Sequence, residues 1–95
     1  MYVVFLKFSE NKANAGAFMD GHKAWLKQGF DDGVFLLAGS LKPEGGGGIL
    51  AHGTSQSALE ERVAADPFVA ENVVEAEISE IAASRCDDRL AFLLE

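Results

Sequence analysis

The segment NAGAFMDGHKAWLKQGFDDGVFLLAGS, residues 14–40, changes its hydrophobic period part-way along, and that change decides the fold. Ala15, Phe18, Met19, His22, Trp25, Leu26 and Gly29 recur at three- or four-residue steps, one face of an α-helix from about Asn14 to Phe30. Asp20, Lys23 and Lys27 lie off that stripe and are expected to face water. Gly29 is a candidate C-cap, and Gly21, which costs about 1 kcal/mol relative to alanine inside a helix, suggests close packing there. Asp31-Asp32-Gly33 reads as a turn, and Val34 to Ser40 as a buried strand.

Working outward, Tyr2 to Phe8 is rich in β-branched and aromatic residues and reads as a first strand. On the other side, Leu41 to Gly48 is a loop with Pro43 and four consecutive glycines, leading into a third strand, Ile49 to Gly53. A second helix opens at Thr54-Ser55-Gln56-Ser57, with Ser57 and Glu60 as a capping box and Ser55 as the other candidate N-cap. It must stop near Ala65-Asp66, because Pro67 disfavours helical geometry in the residue before it. Val73 to Ala82 alternates apolar residues with Glu75, Glu77 and Glu80, a strand with one wet face. Ser84 to Glu95 places Cys86, Leu90, Leu93 and Leu94 at helical spacing, a short amphipathic tail helix.

The order β-α-β-β-α-β predicts an α+β, ferredoxin-like antiparallel sheet with two helices on one face. The expectation is a single domain over 1–95, with a core at about 1–82 and a tail at 83–95. Two helices cover one side of four strands, so the other side calls for a second subunit and a homodimer.

Composition narrows the function classes. The 95 residues hold 8 Lys/Arg against 15 Asp/Glu, a formal net charge of −7. Nucleic acid demands a basic stripe that this chain lacks, and an anionic membrane surface is disfavoured on the same ground. No stretch approaches the roughly 20 apolar residues of a membrane span. The opening residues lack the basic leader of a signal peptide, and a lone Cys86 calls for no oxidising compartment. A cytoplasmic location is the expectation.

His22 is the residue that draws attention, a titratable ring in an apolar stripe. A core histidine bonded to a backbone carbonyl is the plainer reading. Asp66 shifts the balance: at the C-terminal end of the second helix, a carboxylate opposes the macrodipole and needs a partner such as an imidazolium. In this topology the two helices lie side by side, so His22 and Asp66 can meet. Aspartate on one ring nitrogen would fix the tautomer and leave the other as general base or acid. Asp-Pro as a plain turn is the alternative. Gly45 to Gly48 runs into a strand rather than a helix, which argues against a phosphate loop and leaves a flap or a flexible hairpin. His52, on the third strand, has no second ligand at metal spacing, and Cys86 has no basic neighbours, so neither a metal site nor thiol chemistry is expected.

His22-Lys23-Ala24-Trp25-Leu26, Gly33-Val34-Phe35-Leu36-Leu37-Ala38-Gly39, Gly47-Gly48-Ile49-Leu50-Ala51 and Ala65-Asp66-Pro67-Phe68 occur in that order. The chain, from Met1 to about Ile81, thereby resembles the YciI-like (YCII-related) family of small bacterial proteins. The resemblance implies a dimeric α/β barrel and an active site centred on His22 and Asp66. One member type is a dehydrochlorinase of chlorinated hydroxyquinols, and muconolactone isomerase shares the wider architecture. Two positions depart from the family pattern: Met19 stands where an arginine is frequent, and Ser40 where proline is common.

The favoured expectation is a lyase or isomerase working without a cofactor on a small cyclic or aromatic metabolite. His22 would move the proton, Asp66 would orient it, and Trp25, Gly39, Ser40 and Phe68 would line the pocket. A non-catalytic binding or sensing module with the same pocket is the second reading. A haem protein with His22 as axial ligand and a ligand-free structural dimer complete the set.

Overall fold

The computed structural model describes residues 1–94; Glu95, the last residue of the expected tail helix, lies outside them. Strand β1 spans Tyr2–Phe8 and is followed, after a short 3₁₀ turn at Lys12–Asn14, by helix α1, Ala15–Asp31. Strands β2 (Phe35–Ser40) and β3 (Gly47–Ala51) form the glycine-loop hairpin. Helix α2 is Gln56–Ala64, a one-turn helix α3 is Pro67–Ala70, and strand β4 is Val74–Glu80. The four strands make one sheet in the order β2-β3-β1-β4, every pair antiparallel. The expected α+β, ferredoxin-like plan is therefore present, with one helix more than anticipated.

Alternation along β1 sorts the two faces. Tyr2, Val4 and Leu6 are buried and join Ile49, Ala51, Phe35, Leu59 and Val63 in the core beneath the helices. Val3 and Phe5 point the other way, beside Leu50 and the exposed Leu37. That outer sheet face has no helix over it. No helix is long and apolar enough to cross a membrane among the described residues.

Several local expectations are corrected. Helix α1 runs two residues past Gly29, and its end is a Schellman-type closure: Gly33 adopts φ +73° and donates to Phe30 O, while Val34 donates to Gly29 O. Gly29 is a glycine for another reason, since a Cβ there would run into the Phe35 ring. Of the two candidate caps on α2, Ser55 is the one used; its hydroxyl accepts from Ala58 N at 3.1 Å. Strand β3 begins two residues earlier than expected, inside the glycine run, and leaves His52 just beyond its end. Strand β4 is shorter at both ends than the expected 73–82.

The tail is not an α-helix. It forms two merged 3₁₀ turns at Asp88–Leu93, broken at Leu90, with Leu90, Phe92 and Leu94 exposed. The spacing of its leucines is helical, but a segment this short has little to bury and isolated α-helical turns are marginal.

Candidate functional site

Asp66 does not sit uncomfortably at the end of α2, as its sequence position suggests. It is the N-cap of α3, and its Oδ1 accepts from Phe68 N at 3.0 Å. Pro67 occupies the first helical position, where its missing N–H costs nothing. The Asp-Pro-Phe run thus builds a new helix start rather than a breaker, and a carboxylate there is favourable. A one-turn helix carries no periodicity to read, which is why the sequence conceals it.

This cap holds Asp66 fully buried, with its second hydrogen bond aimed at α1. His22 Nδ1 lies 2.9 Å from Asp66 Oδ1, joining positions 44 residues apart. The side chains are 13% and 0% exposed respectively. Because an ionised carboxylate can only accept, this contact places the hydrogen on Nδ1 and leaves Nε2 for other work. Nε2 has no hydrogen bond to a described residue, and Asp66 Oδ2 is buried without a partner among them.

The approach of α1 to α3 depends on the residue beside each member of the pair. A Cβ on Gly21 would come within 3.1 Å of Pro67 Cγ, so the glycine allows the two elements to close and bring His22 to Asp66. The imidazole is then fixed by aromatic rings. Phe68 stacks on it at 4.1 Å between centroids and 3° between planes, and Trp25 lies 5.8 Å away at 26°. Trp25 is itself anchored, donating from Nε1 to Arg62 O at 2.9 Å and meeting the Phe35 ring edge-on.

His22 faces a cavity of about 350 Å³ between α1 and the β1/β3/β2 end of the sheet. Gly39, Ser40 and Phe68 line it, as the sequence suggested. Trp25 does not; it backs the imidazole from within the core. Leu6, Phe8, Met19, Leu26, Ile49 and Val74 supply apolar walls, and the loop glycines Gly46 to Gly48 close one side. Lys23, expected to face water, is exposed but also forms part of the rim. Its position next to His22 is the signal that was available.

His52 belongs elsewhere. It lies at the opposite end of β1, in a more polar cavity with Tyr2, Thr54 and Glu80, and meets the edge of the Phe92 ring at 5.3 Å. Cys86 is a half-buried free thiol. Among the described residues no group of three His, Cys, Asp or Glu side chains could hold a metal ion.

The family model for the YCII-related domain matches residues 1–82, and the chain belongs to that family. Among solved structures, it is similar to 5-chloro-2-hydroxyhydroquinone dehydrochlorinase from Burkholderia phenoliruptrix AC1100, solved in complex with 2,5-dihydroxybenzoquinone. The TM-score is 0.68 at 13% identity, over 85% of this chain and 93% of that one, a likeness of fold. Comparison with curated proteins gives no match.

Proposed function

We propose that the protein is a lyase or isomerase that moves a proton on a small cyclic or aromatic metabolite, with His22 as the proton carrier and Asp66 as the group that orients it. The observation that carries this reading is the 2.9 Å contact between Nδ1 and a buried carboxylate in a histidine that also lines a cavity. A histidine satisfied only as a core residue would not need to border open space. Nε2 takes a proton from the ligand; the electron pair left behind either expels a leaving group or shifts within the ring, and the proton is returned or lost to water. Asp66 stabilises the imidazolium formed on the way. The His22 imidazole itself takes up and gives back the proton, so this step needs no cofactor. The cavity volume suits a single ring, and the ligand named with the structurally similar dehydrochlorinase is a quinone of that size.

The test is a thermal-shift screen of phenols, lactones and small carboxylic acids, since a ligand that binds only the folded state raises the midpoint. Hits are then incubated in D2O with wild type and with His22→Gln. Wild type should exchange or convert the ligand and the variant should not. Ligands that bind without exchange or conversion would instead make the pocket a binding or sensing module.

We also infer a homodimer joined through the outer sheet face. Leu37 is 55% exposed there, and Val3, Phe5 and Leu50 continue the apolar surface across β3 and β1. A two-fold contact would cover the same patch on both subunits.

A further inference from the structure

We propose that the His22 cavity selects ligands carrying one negative charge on a compact apolar body, and that Lys23 is the residue that selects them. This rests on the proposed function of the site and adds the charge of its substrate class.

The cavity inverts the charge balance of the chain. The chain carries 15 acidic residues against 8 Lys/Arg, yet among the described residues no Asp or Glu lines this cavity, while two groups able to be cationic, His22 and Lys23, do. Two other cavities do contain acids: one has Glu80 beside Met1 and His52, the other Glu44 and Glu77 beside Lys7. Asp66, which bonds the imidazole, is itself fully buried.

Lys23 also differs from its neighbours on the surface. Lys7, Lys27, Arg62 and Arg89 each have a carboxylate within 4 Å, and Lys12 lies over the Phe8 ring. Among the described residues Lys23 has no such partner; Lys42 and Arg85 have none either, but of the three only Lys23 lines this cavity. An ammonium on the rim of an apolar cavity, unclaimed by the protein's own acids, is available to a ligand's anionic oxygen. The walls around it then take the uncharged ring. Ser40 adds a hydroxyl on the β2 side that can serve a second oxygen.

The charge requirement also fits the proposed chemistry. A ligand whose negative charge stays at the rim leaves its opposite edge uncharged and next to Nε2, the group that must exchange a proton. A dianion would place charge against the apolar walls, and burying an unpaired charge is costly.

Binding is measured by calorimetry and NMR at pH 7 with matched probes: 4-hydroxybenzoate against 4-hydroxybenzamide, and cyclohexanecarboxylate against cyclohexanecarboxamide. Wild type should favour the carboxylate of a pair by about tenfold, the order expected of a hydrogen bond to a charged group. The preference should shrink as salt is raised, because the rim is exposed. Lys23→Gln should erase it and Lys23→Glu reverse it. Lys27→Gln, which removes the same charge outside the cavity, should leave it intact. No preference in either pair, or a preference that survives in Lys23→Gln or falls equally in Lys27→Gln, overturns the proposal. The proton-transfer reading fails separately, on exchange by His22→Gln, whatever charge the ligand bears.

Discussion

At the scale of single residues, the site turns on one oxygen. Asp66 Oδ1 serves both the α3 cap, through Phe68 N, and the histidine, through Nδ1. Local helix formation and orientation of the ring are therefore tied to the same atom. Asp66→Asn keeps an acceptor for the cap but loses the carboxylate charge and the guarantee of which nitrogen bears the hydrogen. The expected result is a fall in turnover of at least a hundredfold with a modest change in melting temperature. Asp66→Ala removes the cap as well, for which about 1 kcal/mol is typical, and leaves a buried N–H unpaired, so its melting temperature should fall further. Comparing the two variants by thermal denaturation and by turnover separates the structural from the chemical share. His22→Gln should lose about 10²- to 10⁴-fold in rate, the usual contribution of a positioned acid–base group, while remaining folded by circular dichroism. The sequence displays His22 clearly, as the one titratable side chain in an apolar stripe. It also displays Asp66, though for a reason the structure replaces.

At the scale of elements, the decisive contact is α1 against α3. Gly21 and Pro67 touch at the point where any larger side chain would intervene. Gly21→Val should push the elements apart and stretch the His22–Asp66 bond. Its measurable signature is a larger loss of activity than of stability, because the helix itself tolerates valine better than glycine. The far end of α1 is tied differently. Arg62 on α2 reaches Asp32 at 3.0 Å, and that guanidinium, together with the Gln28 amide, holds the Asp32 carboxyl below the usual carboxylate range. A depressed folded-state pKa means the contribution is present above the unfolded value of about 3.9 and is lost as pH falls through the lower folded value. The melting-temperature gap between wild type and Asp32→Asn should therefore be widest near neutrality and close as the solution is acidified below pH 4. A gap that is constant with pH would show that the ion pair contributes nothing. The Gln28–Asp32 pair is a four-residue step along α1, but the Gly21–Pro67 and Arg62–Asp32 contacts join different elements and cannot be read from spacing.

At the scale of the whole molecule, the sheet has one covered face and one bare one. The proposed homodimer predicts about twice 10.1 kDa at sedimentation equilibrium, at micromolar protein and ordinary salt. Leu37→Asp, at the most exposed apolar position of that face, should shift the equilibrium to monomer while the helix-side core stays intact. A wild-type monomer under these conditions would remove the dimer. The repulsion between two acidic subunits is mostly screened at 0.1 M salt, where the Debye length is about 10 Å.

The sequence by itself determined the element order, the antiparallel plan and the identity of His22, because each is written in a local period: two residues for a strand, 3.6 for a helix. It also determined the excess of acidic over basic residues. The tertiary structure alone decided the rest. Asp66 became a cap through a one-turn helix too short for any period to show. Trp25, with a face toward His22, was drawn into the core by Arg62 O and Phe35, although its helix position suited the cavity equally well. The tail leucines have helical spacing, yet Leu90 and Leu94 stay exposed and the α-helix they suggest does not form. Periodicity records which side of an element is apolar; it carries no information on what that side will meet, and packing of distant segments supplies it.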